Sequence, residues 1–510
     1  VTVTDNNGAL KADAVMKKIR NDAGTQLEPA DTVDDNTAVF RNIYETNKQA
    51  VDAEARKEFT DHTGSKKLKN GDYTFRITAI NGAPLSNGET SIDAQNIGIG
   101  VRFTSKEFTL ADAAGATKTK PITYEYWMEE VLPKEANEGN HYTVNGLTYD
   151  TTKYKIHLNV YVESVNGKDM VVVDRIYKDA NGNDLGPNEV PEFHNSYKAD
   201  SVSLTGDTAL KGEKTLTGRD MLSGETFDFT LTAGDDSTKK ALKDKVVTIA
   251  ANGNNASVSG GKNGEAANFN FGNVTFTKEG TYIFDINETV PSSMAGGVTY
   301  DRHTTKAKVV VMDNAEHPGT LKASVTYNNG TVSDETDKAV FENKYEASHV
   351  YSTSGGLNVE KVLNGRTMKA GEFHFTITAD GSTDAEKEAA EAKLQDHDKS
   401  FANDNQRASG EPDSMQKLQG LTFTQNDAGK TYKYIVQETS GSAAGVTYDA
   451  TRFLVAIQVM DKGDGTMYTV TTITWTAADG SAQTAVYDSS AAEAGTPTVK
   501  FNNSYKEEFE

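Results

Sequence analysis

Apolar and polar residues alternate along most of this chain with the two-residue period of a β-strand. Thr281 to Glu288, Thr431 to Glu438 and Phe373 to Thr378 each place large apolar side chains on one face and polar ones on the other. Asn181-Gly182, Asn329-Gly330 and Asp464-Gly465 interrupt the alternation with pairs that tolerate the positive φ of a tight hairpin. Two stretches break the period. The Ala/Glu/Lys-rich run Asp384 to Leu394 predicts a helix with Asp384 as its N-cap, and Lys239 to Lys245 a shorter one. The pattern predicts an all-β protein with small helical insertions.

The chain also repeats itself. Phe-x-Asn-x-Tyr occurs at Phe40-Arg41-Asn42-Ile43-Tyr44, Phe193-His194-Asn195-Ser196-Tyr197, Phe341-Glu342-Asn343-Lys344-Tyr345 and Phe501-Asn502-Asn503-Ser504-Tyr505. The copies lie about 150 residues apart, a domain-sized interval. A second motif precedes each of the last three: Gly146-Leu147-Thr148-Tyr149-Asp150, Gly297-Val298-Thr299-Tyr300-Asp301 and Gly445-Val446-Thr447-Tyr448-Asp449. Each leads into an apolar strand, such as Lys308 to Met312 or Phe453 to Met460. The chain opens on a matching strand, Val1 to Asp5. Residues 1–46 are therefore expected to be the last part of a truncated repeat. Whole repeats are expected over 47–200, 201–347 and 348–510, with joints too short for a flexible linker. Such a chain should form a rod.

Strand alternation assigns faces within each repeat. In the closing strand Phe193, Asn195 and Tyr197 share a face, as do Phe341, Asn343 and Tyr345, and Phe501, Asn503 and Tyr505. The aromatics mark that face as the core side. A middle strand groups Tyr124, Tyr126 and Met128 with Glu130, then Tyr282, Phe284 and Ile286 with Glu288, then Tyr432, Tyr434 and Val436 with Glu438. The opening strand groups Ala53, Ala55 and Phe59 with Lys57, Leu210 and Leu216 with Lys214, and Leu357, Val359 and Leu363 with Lys361. Every whole repeat thus carries one Lys, one Glu and one Asn on apolar faces, in the same order. Any one of these residues reads equally well as an ordinary solvated polar group, or as part of a hydrogen-bonded cluster that never reacts. Threefold recurrence in strand register selects the buried cluster.

Buried without partners, the Lys and Glu would each cost several kcal/mol, so they should meet. Burial lowers the pKa of Lys, giving a nucleophilic neutral amine, and raises that of Glu, keeping it protonated. The Glu can polarise the Asn amide while the amine attacks its carbonyl carbon, and then pass a proton to the departing ammonia. The product is a neutral amide cross-link.

Composition sharpens this picture. At 510 residues the chain exceeds one core, and it contains no cysteine, so disulfides cannot brace its domains. The net charge of −22 argues against nucleic acid or an anionic membrane as partner. There is no apolar run of the roughly twenty residues that span a bilayer; neither end shows a signal peptide or a wall-sorting tail, so for an exported protein this sequence is expected to be a mature or excised portion. Asp179 to Asp184 and Asp461 to Asp464 have the flavour of calcium loops but lack the downstream Glu, and read as hairpin turns. The nine His residues show no metal-ligand spacing, and no nucleophile elbow, phosphate loop or His-Glu-x-x-His helix is present. No cofactor, no metal and no turnover enzyme is expected. Leu132-Pro133-Lys134-Glu135-Ala136 faintly echoes a sortase signal, yet it is internal and reads as the loop after Glu130.

These motifs resemble the isopeptide-containing pilin domains of Gram-positive shaft pilins, of the streptococcal T-antigen type. The resemblance rests on the x-Lys-x-Leu-x-Gly-Arg opening (Lys214 to Arg219 and Lys361 to Arg366), the Glu-ended strand, the Gly-Val-Thr-Tyr-Asp turn and Phe-x-Asn-x-Tyr. It covers essentially the whole chain. It implies tandem immunoglobulin-like β-sandwiches, with Lys214–Asn343 bonded under the influence of Glu288 and Lys361–Asn503 under that of Glu438. The first whole repeat departs from the pattern: Lys57 is not followed by Gly-Arg, and Lys66, Lys67 and Lys69 lie close by. Alternation selects Lys57–Asn195 with Glu130. Asn42 has no counterpart of the opening-strand Lys or of the strand-ending Glu in this chain and is expected to stay unpaired.

The function expected is structural: a tension-resistant stalk of a wall-anchored adhesin or pilus on the surface of a Gram-positive bacterium. Its partners would be sortase-linked neighbours and a host ligand bound outside or at the tip of this segment. The alternative is an adhesin module in which one repeat binds a host ligand or glycan. An exposed aromatic cluster would support that reading, but Trp127 and Trp475 both fall in strands.

Overall fold

The computed structural model describes residues 2–13, 17–20, 26–32, 48–330, 335–351 and 356–507. The leading segment contributes two antiparallel pairs, Thr2–Asn6 with Ala9–Asp13 and Lys17–Arg20 with Gln26–Thr32. The first Phe-x-Asn-x-Tyr copy, including Asn42, lies outside the described residues. Elsewhere the described chain is mainly β-strand, and the alternating segments form Gly280–Glu288, Thr431–Thr439 and His374–Asp380.

The chain divides into two compact units. The first runs to Val202 and includes Phe276–Gly280 and Val311–Ala323. Its main sheet has ten strands and is centred on Glu54–Asp61, Thr74–Ala79, Ile122–Glu130 and Glu192–Tyr197. Phe75, Met128, Val160 and Phe193, all fully buried, form its core. Each such side chain contributes about 1.5–3 kcal/mol relative to an exposed one.

The second unit holds two repeats of one topology. In the third whole repeat, a four-stranded sheet runs Asp413–Lys417, Leu357–Asn364, Thr498–Tyr505, Val446–Thr447. A six-stranded sheet includes His374–Asp380, Thr431–Thr439 and Arg452–Asp461. The second repeat builds the same four-stranded sheet from Ala266–Asn270, Lys211–Thr217, Ala339–Tyr345 and Val298–Thr299.

One feature of this topology positions the site. In every whole repeat the opening and closing strands are hydrogen-bonded neighbours running parallel. Lys57 lies opposite Phe193, Lys214 opposite Phe341 and Lys361 opposite Phe501. The Asn two residues beyond that Phe points to the same face, because side chains alternate. Chain ends far apart in sequence are thereby brought within side-chain reach.

The Gly of the Gly-Arg pair follows from this packing. Gly218 and Gly365 adopt φ of +99° and +101°, and a Cβ there would lie 2.1 Å and 2.2 Å from the carbonyl oxygens of Tyr345 and Tyr505. The guanidinium of Arg219 sits 4.6 Å from the centre of the Tyr345 ring and pairs with Glu225. Arg366 repeats this over Tyr505 with Glu372. In the first repeat Lys66 supplies the cation instead, 5.0 Å from the centre of the Tyr197 ring. Lys66 thus takes the place over the closing Tyr that the Arg holds in the other two repeats.

Both helices exist; the first begins earlier than expected, and the second begins at Asp384 but takes a different cap. Helix α1 spans Asp236–Lys243, not Lys239 to Lys245, because the Asp235 carboxylate accepts the Thr238 N–H and starts it earlier. Lys245 has left-handed φ, which ends it. Helix α2 spans Asp384–Lys393, capped by the Thr383 hydroxyl rather than by Asp384. Asp384 is instead the first helical residue, where its charge complements the helix dipole. The Asp179 loop is a turn whose carboxylate accepts the N–H groups of Asn181 and Asn183. Within the second unit Tyr345 donates its hydroxyl to Asp461 at 2.6 Å and accepts the Gly465 N–H, a direct seam between successive repeats.

Candidate functional site

Each whole repeat contains one buried polar cluster. In the first, Lys57 Nζ donates to Glu130 Oε2 at 2.7 Å and Asn195 Nδ2 donates to Glu130 Oε1 at 2.6 Å. In the second, Lys214 and Asn343 grip Glu288 at 2.8 and 2.7 Å. In the third, Lys361 and Asn503 grip Glu438 at 2.9 and 2.7 Å. All three Lys are 0 % exposed and no Glu or Asn of these clusters exceeds 7 %, so the clusters are shut off from bulk solvent. Lys66, Lys67 and Lys69, the other candidates in the first repeat, are exposed.

The three side chains arrive from two directions. Lys and Asn project from the adjacent parallel strands. The Glu lies at or next to the end of its strand, in register opposite Phe75, Phe229 or Phe375, all fully buried. A second aromatic covers the amine: Lys57 Nζ lies 4.5 Å from the ring centre of Tyr73, Lys214 Nζ 5.2 Å from that of Phe227 and Lys361 Nζ 4.6 Å from that of Phe373.

Burial holds the three amines below the ordinary lysine pKa, overriding the opposing attraction of the carboxylates. Burial also pushes Glu130, Glu288 and Glu438 above the usual carboxylate range. Both shifts favour an uncharged amine beside a carboxylic acid, because neither ion is hydrated in this interior. The arrangement places a nucleophile, a proton shuttle and an amide electrophile in one dry pocket.

Two further contacts escaped the reading of the strands. The aromatic lid Phe227 lies in the strand after the opening one, and Tyr73 and Phe373 immediately precede it, so nothing in their own alternation points to Lys. The backbone N–H of Asp150, Asp301 or Asp449 donates to the side-chain oxygen of the Asn at 2.8, 2.7 and 2.7 Å. Recurrence of the Tyr-Asp turn was the available signal. Among the described residues no group of three or more His, Cys, Asp or Glu could hold a metal ion, and no helix is long and apolar enough to cross a membrane.

The profile of the Spy0128-like isopeptide-containing domain (FctA) matches residues 53–198, 210–346 and 357–506. No curated relative matches the sequence. Among solved structures, the major pilin of Streptococcus pyogenes is similar at 14 % identity, covering 58 % of this chain and 99 % of that one, with a TM-score of 0.21. Two serotype variants of that pilin align at 16 % and 19 % identity, each over 59 % of this chain and 99 % and 100 % of their own, with TM-scores of 0.20.

Proposed function

This chain belongs to the family of Spy0128-like isopeptide-containing domains, and from that premise we propose that each whole repeat bonds its own opening strand to its own closing strand. The pairs are Lys57–Asn195, Lys214–Asn343 and Lys361–Asn503, promoted by Glu130, Glu288 and Glu438. The neutral Lys amine attacks the Asn side-chain carbon and a C–N bond forms. The protonated Glu donates to the amide nitrogen, the C–Nδ2 bond breaks, and ammonia departs. The Glu recovers its proton from Nζ, so the carboxyl is unchanged and the net products are one secondary amide and one ammonia. Proximity in a sealed site supplies the effective concentration that an unactivated amide demands.

The observation that carries this reading is the threefold Lys–Glu–Asn relay, with every contact between 2.6 and 2.9 Å, spanning neighbouring parallel strands. A pilin-type repeat is a structural module. A covalent tie between its first and last strands would carry tension past the hydrogen-bonded sheets. We place the chain on the outside of a Gram-positive cell, as a load-bearing segment of a pilus or adhesin stalk whose neighbours are joined by sortase. The ligand-binding alternative gains nothing from Trp127 and Trp475, which are partly buried in strands beneath Lys155 and against Phe453.

Intact-mass measurement of the whole chain tests the reading. The expected deficit is three ammonia masses, one per whole repeat. Replacing Glu288 and Glu438 with Ala should restore two of them. A chain at its full unreacted mass refutes the proposal.

A further inference from the structure

The recurring residues of the Gly-x-Thr-Tyr-Asp turn meet the closing strand, the aromatic lid or the Asn of the cluster. Its Gly has positive φ, and a Cβ at Gly146, Gly297 or Gly445 would lie 2.8, 2.6 or 2.3 Å from the carbonyl oxygen just past the closing strand. The two residues after the Gly pair with that strand, as Val298 does with Tyr345 and Thr299 with Lys344. The Tyr packs on the aromatic lid of the Lys, with ring centres 6.4 Å apart for Tyr149 and Tyr73, 5.9 Å for Tyr300 and Phe227, and 5.8 Å for Tyr448 and Phe373.

Two backbone N–H groups hold the Asp, and the His303 ring adds a third partner to Asp301. The Asp Oδ2 accepts the N–H of the residue preceding the Asn: His194 at 2.6 Å, Glu342 at 3.0 Å and Asn502 at 2.7 Å. Its Oδ1 accepts an N–H two residues onward, from Thr152, His303 or Thr451. These bonds clamp the turn onto the closing strand beside the reacting Asn, and leave the Asp N–H aimed at Asn Oδ1.

We infer that the backbone N–H of Asp150, Asp301 and Asp449 is an oxyanion donor for cross-link formation, and that the Asp carboxylate is the positioning group that aims it. When Nζ bonds to the Asn carbon, the electron pair of the C=O bond moves to Oδ1, and that oxygen becomes the most negative atom in a site without water. When ammonia leaves, the pair returns and the carbonyl re-forms. The Glu faces the nitrogen side of the amide, occupied with Nζ and Nδ2, so the charge on oxygen falls to the Asp N–H. A donor fixed before the reaction needs no reorganisation, and removal of one such donor slows acyl transfer by about 10²–10³-fold.

This inference rests on the cross-linking reading, and its test separates the two. Whole chains are sampled during synthesis and folding, digested, and scored for the Lys214–Asn343 and Lys361–Asn503 linked peptides. The third repeat serves as an internal clock. Asp301→Ala should slow the second repeat by about 10-fold or more against that clock, and Asp301→Asn, which keeps one acceptor oxygen, should recover part of the loss. The decisive variant replaces Asp301 with its α-hydroxy acid analogue by semisynthesis. It removes the N–H while keeping the carboxylate, so a merely structural role would leave the rate unchanged. Slowing in the analogue supports the inference even where Asp301→Ala fails to fold. Cross-linking of the analogue at the wild-type pace overturns it. Absence of linked peptides from every repeat of the unaltered chain overturns the cross-linking reading instead.

Discussion

Replacing Asn503 with Ala deletes the electrophile of the third repeat and leaves Lys361 and Glu438 in contact at 2.9 Å. The proposed bond closes a loop of well over a hundred residues, and by loop-closure entropy its absence costs up to about 5 kcal/mol. Glu438 Oε1 also loses the donor it receives from Asn503, worth about 1–3 kcal/mol in a buried setting. For a repeat of this size each kcal/mol moves Tm by about 2–4 °C, so the third repeat should melt roughly 10–30 °C lower. Glu438→Ala should fall further. It abolishes the bond and in addition strands a buried amine, a penalty of about 3–5 kcal/mol. Scanning calorimetry of the whole chain, with intact mass recorded on the same samples, resolves the effects. The expected order of stability for the third repeat is wild type, Asn503→Ala, Glu438→Ala, each variant regaining one ammonia mass after correction for the substitution. An Asn503→Ala chain that regains no ammonia and melts with the wild type would show that Asn503 was never bonded, and the mechanical argument would fail with it.

Two other outcomes are expected. Gly365→Ala should destabilise the third repeat well beyond Gly371→Ala. Both sites have positive φ, which costs a side chain about 1–2 kcal/mol, but only Gly365 would also drive a Cβ to within 2.2 Å of the Tyr505 carbonyl oxygen, whereas nothing lies within 4 Å at Gly371. Equal melting shifts would contradict the packing of the Gly-Arg motif against the closing strand. Alkaline pH should destabilise the second unit, because burial pushes Tyr327, Tyr345 and Tyr351 up to about 12. A folded pKa above the unfolded value of about 10 means that the unfolded chain loses these protons first, so this stability is complete below about pH 10 and declines towards pH 12. Melting temperature and phenolate absorbance followed together across that window provide the check, and a flat melting temperature would contradict it.

Strand faces were legible in the sequence because they are local. A two-residue period requires only that each segment be extended, and Phe341, Asn343 and Tyr345 declare their shared face without reference to any other strand. Repetition then turned a weak sign, one Lys on an apolar face, into a specific one, since Lys57, Lys214 and Lys361 each recur in register with a Glu and an Asn. Family membership followed from the same motifs. Helix starts were less legible. Asp235, Thr383 and Asp384 are all competent caps, and the choice depends on which oxygen meets the right N–H.

The tertiary structure decided how the faces meet. Lys57, rather than Lys66, Lys67 or Lys69, reaches Glu130, because the opening strand runs parallel to the closing one and sets Lys57 opposite Phe193. The aromatic lids and the Asp N–H come from segments remote in sequence from the groups they touch. Pairing between distant strands is bought with loop-closure entropy and repaid by burial summed over the whole repeat. No local window of residues contains that balance, so only the assembled sheets could supply these contacts.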